Sequence, residues 1–144
     1  MAQNRGAGRK ERIRKGLRRG LMLEACYWVF ICITITLFRR PLMGLFVTAG
    51  NEGIVALGSS YLGMMALFYV FPAFTNGIQG FFRGMGNMSV TLLGTFVQTS
   101  LRVVFVYLLT PGIGLPGVAY ACAIGWSVML LAEVPYYFWF MKDK

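Results

Sequence analysis

The sequence predicts an all-α, polytopic membrane helix bundle with four transmembrane helices, and three observations carry that prediction. Apolar residues make up 57% of the 144 residues, above the roughly 45–50% of soluble proteins. They are gathered in four long blocks and do not recur every 3.6 residues, as the buried face of a soluble helix would. The blocks are separated by short Gly- and Pro-rich breaks that leave no room for a soluble domain.

Taken in order, residues 1–20 carry eight Lys and Arg against the single acid Glu11, and read as a basic cytoplasmic loop. Residues 21–144 read as the four-helix transmembrane segment, with spans at about 21–38, 54–82, 88–109 and 118–141. A hydrocarbon core roughly 30 Å thick needs about 20 helical residues, so four blocks give four spans. The first holds one charge, Glu24. The second is uncharged and contains Pro72, which removes a backbone donor and predicts a kink near residues 68–72. The third holds Arg102 and the fourth Glu133. Thr48–Gly53 (TAGNEG), Gly84–Asn87 (GMGN) and Thr110–Gly117 (TPGIGLPG) supply the reversals. Gly117, Ala121 and Gly125, and separately Gly80 and Gly84, repeat at four-residue intervals that let helix backbones approach closely in lipid.

Orientation follows from Lys and Arg. With the basic segment inside, eleven of these residues lie on the cytoplasmic side, two (Arg39 and Arg40) lie outside, and Arg102 lies in a span. Both termini are therefore expected in the cytoplasm of a multi-pass cell-membrane protein, with anionic lipid head groups as partners of the basic segment. A nucleic-acid arm is not expected, because the basic run lacks interleaved aromatics and leads straight into a span.

Catalysis is not expected either. There is no His, and the only Asp is Asp143, beside the C-terminus. Histidine-based nucleophilic sites and His-bound metals are thereby removed. Cys26, Cys32 and Cys122 sit in apolar runs without metal-like spacing and read as free thiols, so neither a metal site nor a bound cofactor is expected.

Four stretches resemble a known family in order and spacing. Ala2–Gly16 (AQNRGAGRKERIRKG) is similar to the loop after the second helix of a lobe in the multidrug and toxic compound extrusion (MATE) family. Phe81–Ser89 (FFRGMGNMS) resembles the loop between the fourth and fifth helices. Ser100–Leu109 (SLRVVFVYLL) resembles the fifth helix of the C-terminal lobe, and Gly114–Ala121 (GLPGVAYA) the entry to the sixth. The resemblance implies twelve helices in two six-helix lobes, of which this chain would be helices 9–12, most of one lobe. It implies part of a secondary active transporter exchanging small amphipathic or cationic substrates for Na⁺ or H⁺, dependent on the missing N-terminal helices and inactive without them. The rival readings are a flippase for lipid-linked sugars and a small non-transporting membrane protein that binds a partner.

Five polar residues within the spans are candidates for a substrate or ion pathway: Asn76, Gln79, Gln98, Arg102 and Glu133. Asn76 and Gln79 share a helix face by spacing, and either line a cavity or make buried interhelical bonds. In the sodium-coupled members that the chain resembles, a carboxylate commonly holds the Asn76 position. A neutral amide there argues against cation coupling through this lobe. Arg102 faces the bundle or a watery cavity, or else braces the packing, and bracing is expected. Glu133 lies nearer the cytoplasmic end beside Tyr136, Tyr137 and Trp139, and is expected at the membrane interface, out of easy reach of Arg102.

Overall fold

The computed structural model describes residues 2–47 and 50–143. A short helix α1 (Ala2–Gly6) precedes α2 (Lys10–Gly44), α3 (Glu52–Phe68), α4 (Val70–Gly84), α5 (Met88–Ile113) and α6 (Leu115–Asp143), with no strand among the described residues. By length and apolar composition α2, α5 and α6 can each cross a membrane, and α3 and α4 together make a fourth, broken span. The chain is an all-α membrane helix bundle.

The basic segment is not the loop that its charge suggested. Helix α2 begins at Lys10, not at residue 21, because Ile13 and Leu17 stand four apart and bury one stripe while Arg and Lys ring the other faces. At 35 residues α2 is about 50 Å long, so its charged first turns extend beyond a bilayer core. Ile13 and Leu17 dock in a core with Ile78, Phe81 and Phe82 of α4, Met85, and Phe140 and Met141 of α6. The rings of Phe81, Phe82, Tyr136 and Phe140 meet tilted or edge-on there. A second cluster, Met65 of α3 with Ala119 and Cys122 of α6, holds the far half together.

The expected kink is present as a break. Helices α3 and α4 meet at Tyr69 with a bend of 41°. Pro72 has no N–H to give the carbonyl one turn back. Bonds from the Tyr69 N–H to Met65 O (2.9 Å) and from the Ala73 N–H to Tyr69 O (3.2 Å) straddle the gap.

Two reversals are tighter than the sequence suggested. Helix α2 carries on through Arg39, Arg40 and Pro41 to Gly44. Thr48 and Ala49 of the following TAGNEG stretch lie outside the described residues. Between α5 and α6 only Gly114 is non-helical, at φ +67°, so Pro111 falls in the last turn of α5 and Pro116 in the first turn of α6. The resulting hairpin is closely packed along the predicted small-residue ladder. A β-carbon on Gly117 would stand 2.9 Å from the Leu109 carbonyl carbon, and one on Gly125 2.9 Å from the Gln98 carbonyl oxygen. Gly80 does not take part in a second ladder, since a β-carbon there would meet nothing within 4 Å.

Candidate substrate and ion pathway

The predicted polar residues fall into separate places. Asn76 and Gln79, expected on one face, are divided by the packing of α4: Asn76 is exposed toward α2, and Gln79 is buried toward α5 and α6. The 3.6-residue turn puts positions three apart about 60° off a common line, and the groove between two neighbouring helices falls between them.

Gln79 and Glu133 form the most enclosed site. Glu133 is only 3% exposed, and α6 runs on past it to the buried Phe140 and Met141. Gln79 Nε2 donates to Glu133 Oε1 at 3.2 Å and lies 3.5 Å from Thr95 Oγ1. Gly94 makes room for the carboxylate, since a β-carbon on it would sit 3.1 Å from Oε1. The other oxygen, Oε2, is buried with no hydrogen-bond partner. No ion pair joins Glu133 to Arg102 among the described residues.

Gln98 is buried against Gly125 of α6, with its Nε2 unpartnered and its Oε1 accepting from Thr99 Oγ1 at 3.3 Å. Arg102, one turn further along α5, is half-buried and acts electrostatically on Tyr61 of α3. The two residues therefore stack along the α5 hairpin instead of converging with Gln79 and Glu133.

One residue absent from the sequence-based candidates belongs to the picture. Glu24 lies fourteen residues, about 21 Å, past the start of α2. Its side chain packs on Gly77 of α4, in the space that a β-carbon there would occupy, and its Oε2 is buried without a partner. Glu24 and Asn76 line a cleft of about 310 Å³ whose other walls include Tyr27, Trp28, Tyr69 and Pro72. Trp28 is fixed by donating its indole N–H to Ala66 O at 3.0 Å. The signal available in sequence was the pairing of Glu24 with Gly77, a bulky acid opposite a residue without a side chain. It becomes readable only once α2 and α4 are known to be neighbours.

A carboxylate, an amide and aromatic faces around one open cleft can receive a positively charged, partly apolar molecule. Comparison with known proteins places the chain in a family. Residues 1–108 match the MatE family. Over 115 residues, 78% of its length, the chain is 30% identical to a protein of Thermotoga maritima named as a probable multidrug resistance protein, NorM. The matched region is 24% of that relative, so the chain spans about a quarter of its length. No solved structure matches. With three-quarters of its residues inside the family match, and with the loop motifs in family order, the chain belongs to the MatE family of multidrug and toxic compound extrusion proteins.

Proposed function

We propose that this chain is one part of a secondary active efflux transporter that exports small amphipathic or cationic compounds in exchange for Na⁺ or H⁺. The observation that carries the reading is the α2–α4 cleft, where Glu24 and Asn76 stand among Tyr27, Trp28 and Tyr69. An ammonium or other organic cation gains there from the carboxylate and from the ring faces together. The exposed apolar side chains of α2, such as Leu23, Phe30 and Leu37, would meet lipid or further helices of the same transporter. Four spans of this family's two-lobed architecture do not enclose a path between lobes, so the isolated chain is proposed to be inactive.

Export is tested by joining the chain to the N-terminal helices of a full-length MatE-family relative. Vesicles holding the joined protein should expel a fluorescent organic cation down an imposed ion gradient, and vesicles holding the 144-residue chain should not. In the joined protein Glu24→Gln should lower export at least about tenfold, the loss expected for removing one desolvated charge partner. Unchanged export at normal abundance would remove the cleft from the route. Asn76→Asp should add a Na⁺ or pH dependence, because it puts an ionisable group where a neutral amide now stands.

The same reading places the chain in the cell membrane with both termini cytoplasmic. Single cysteines at Asn51 and Gly114, in a background without Cys26, Cys32 and Cys122, should react with an impermeant thiol reagent in intact cells. A cysteine at Gly8 should not. Labelling at Gly8 with none at Gly114 would invert the orientation.

A further inference from the structure

We infer that Gln79 and Glu133 form a proton-binding site inside the bundle, with the exchangeable proton on Glu133 Oε2. The site lies on the opposite side of α4 from the Glu24 cleft and does not depend on the efflux reading.

Three observations build the site. First, Glu133 is 97% buried by its 3% exposure, yet one of its two carboxyl oxygens has no partner. Second, the only donor supplied to it among the described residues is a neutral amide, Gln79 Nε2 at 3.2 Å. Third, a groove of about 330 Å³ lined by Leu93, Gly94, Val97, Val128, Met129 and Glu133 leads to the carboxyl from outside the bundle, and Gly94 places no side chain in the way.

The charged groups around the site do not compensate an ionised carboxylate. From α4, Gln79 faces it, and Arg83, one turn further, is exposed. From α5, the neighbours are Gly94 and Thr95, both neutral, with Arg102 seven residues beyond Thr95. Along α6 itself Met129 and Tyr136 flank it, and Tyr136 OH, a neutral group, accepts from Asn87 Nδ2 at 3.1 Å. Arg14 of α2 acts on Tyr137, a full turn past Glu133. An ionised carboxylate with one neutral donor in such surroundings costs more than that single bond returns, whereas the acid form carries no charge to desolvate. A metal cation is disfavoured by the same inventory. Hard cations take six or more oxygens, and the free oxygen here is Oε2 alone.

The test uses the full chain in liposomes and dicyclohexylcarbodiimide, a lipophilic reagent suited to the groove. It adds only to the protonated acid: the carboxyl proton goes to one carbodiimide nitrogen, the carboxyl oxygen bonds to the central carbon, and rearrangement leaves an N-acylurea with nothing expelled. At about pH 6 an ordinary carboxyl is already ionised, so peptide mapping should find the adduct on Glu133. Between about pH 6 and about pH 9 the yield should fall at least tenfold. Glu133→Gln should abolish it. Gln79→Leu removes the one donor that supports the charged form, so its adduct should persist to higher pH. Where a variant fails to fold, the wild-type infrared spectrum still decides: an un-ionised carboxyl stretch should be present at about pH 6 and disappear on titration. No adduct on Glu133 at about pH 6 while Glu24 reacts would overturn the site. So would a carboxylate band unchanged over the whole range. Neither readout needs transport, so failure here leaves the efflux reading standing, and failure of efflux leaves this site standing.

Discussion

Gly125→Leu is expected to break the α5–α6 hairpin. A single β-carbon at Gly125 already stands 2.9 Å from the Gln98 carbonyl oxygen and 3.4 Å from the Gln98 side chain, and the backbone oxygen cannot swing away as a side-chain tip could. A leucine must therefore push the two helix axes apart. Overpacking of this kind costs about 1–3 kcal/mol, and in lipid the helices have little to regain elsewhere, because close backbone contact is what holds them. The expected result is a lower midpoint of thermal unfolding in detergent and a smaller monodisperse fraction on size exclusion. Gly80→Ala is the matched control. Its new methyl meets nothing within 4 Å, and replacing glycine inside a helix should stabilise by about 0.5–1 kcal/mol. If Gly125→Leu unfolds at the parent's midpoint, the ladder at Gly117, Ala121 and Gly125 is not what holds the hairpin.

That ladder was legible in the sequence because small residues four apart state their purpose without a partner being known. The four apolar blocks and the bend at Pro72 were legible for a similar reason: bilayer thickness and a missing N–H act locally. Helix ends were not. Counting apolar residues placed the start of the first span at residue 21, whereas the helix starts at Lys10. The hydrophobic count measures what a membrane accepts, and a helix continues for as long as one stripe finds a surface to dock on. Ile13 and Leu17, continued by Leu21, carried that stripe through the charge run, and the charges drew attention away from it. The Gly80–Gly84 repeat shows the converse, since the same spacing points to close approach only where a neighbouring helix comes near.

The polar residues were found by type, but their grouping was not. Gln79, Gln98 and Glu133 are all buried, as intramembrane polar groups generally are. Which of them meet depends on the rotation of α4 about its axis, and no local spacing fixes that. Glu133 was expected beside an aromatic belt of Tyr136, Tyr137 and Trp139. Instead, Tyr136 and Tyr137 pack against Phe82 and Phe81, and α6 goes on beyond them. Glu24 was passed over because nothing local in the sequence brings it to Gly77 of α4.

The same aromatic cluster sets the second large effect. Phe82→Ala is expected to destabilise the chain by about 3–5 kcal/mol, the usual cost of truncating a buried phenylalanine. Phe82 is 0% exposed, and its ring packs against Phe81 (centroids 5.3 Å apart), Tyr136 (5.3 Å) and Phe140 (6.0 Å). It sits where α2, α4 and α6 meet, so the cavity would open beneath Ile13 and Leu17 and loosen the basic turns of α2 from the bundle. Two measurements should move together: a lower unfolding midpoint in detergent, and faster tryptic cleavage among the Arg and Lys of residues 9–19. Phe96→Ala is the control, because Phe96 is 70% exposed on the outward side of α5, and its loss should stay within about 0.5 kcal/mol. A Phe82→Ala protein whose midpoint falls while tryptic cleavage stays at the parent's rate would show that α2 is held to the bundle elsewhere, and that the packing of Ile13 and Leu17 is incidental to the length of that helix.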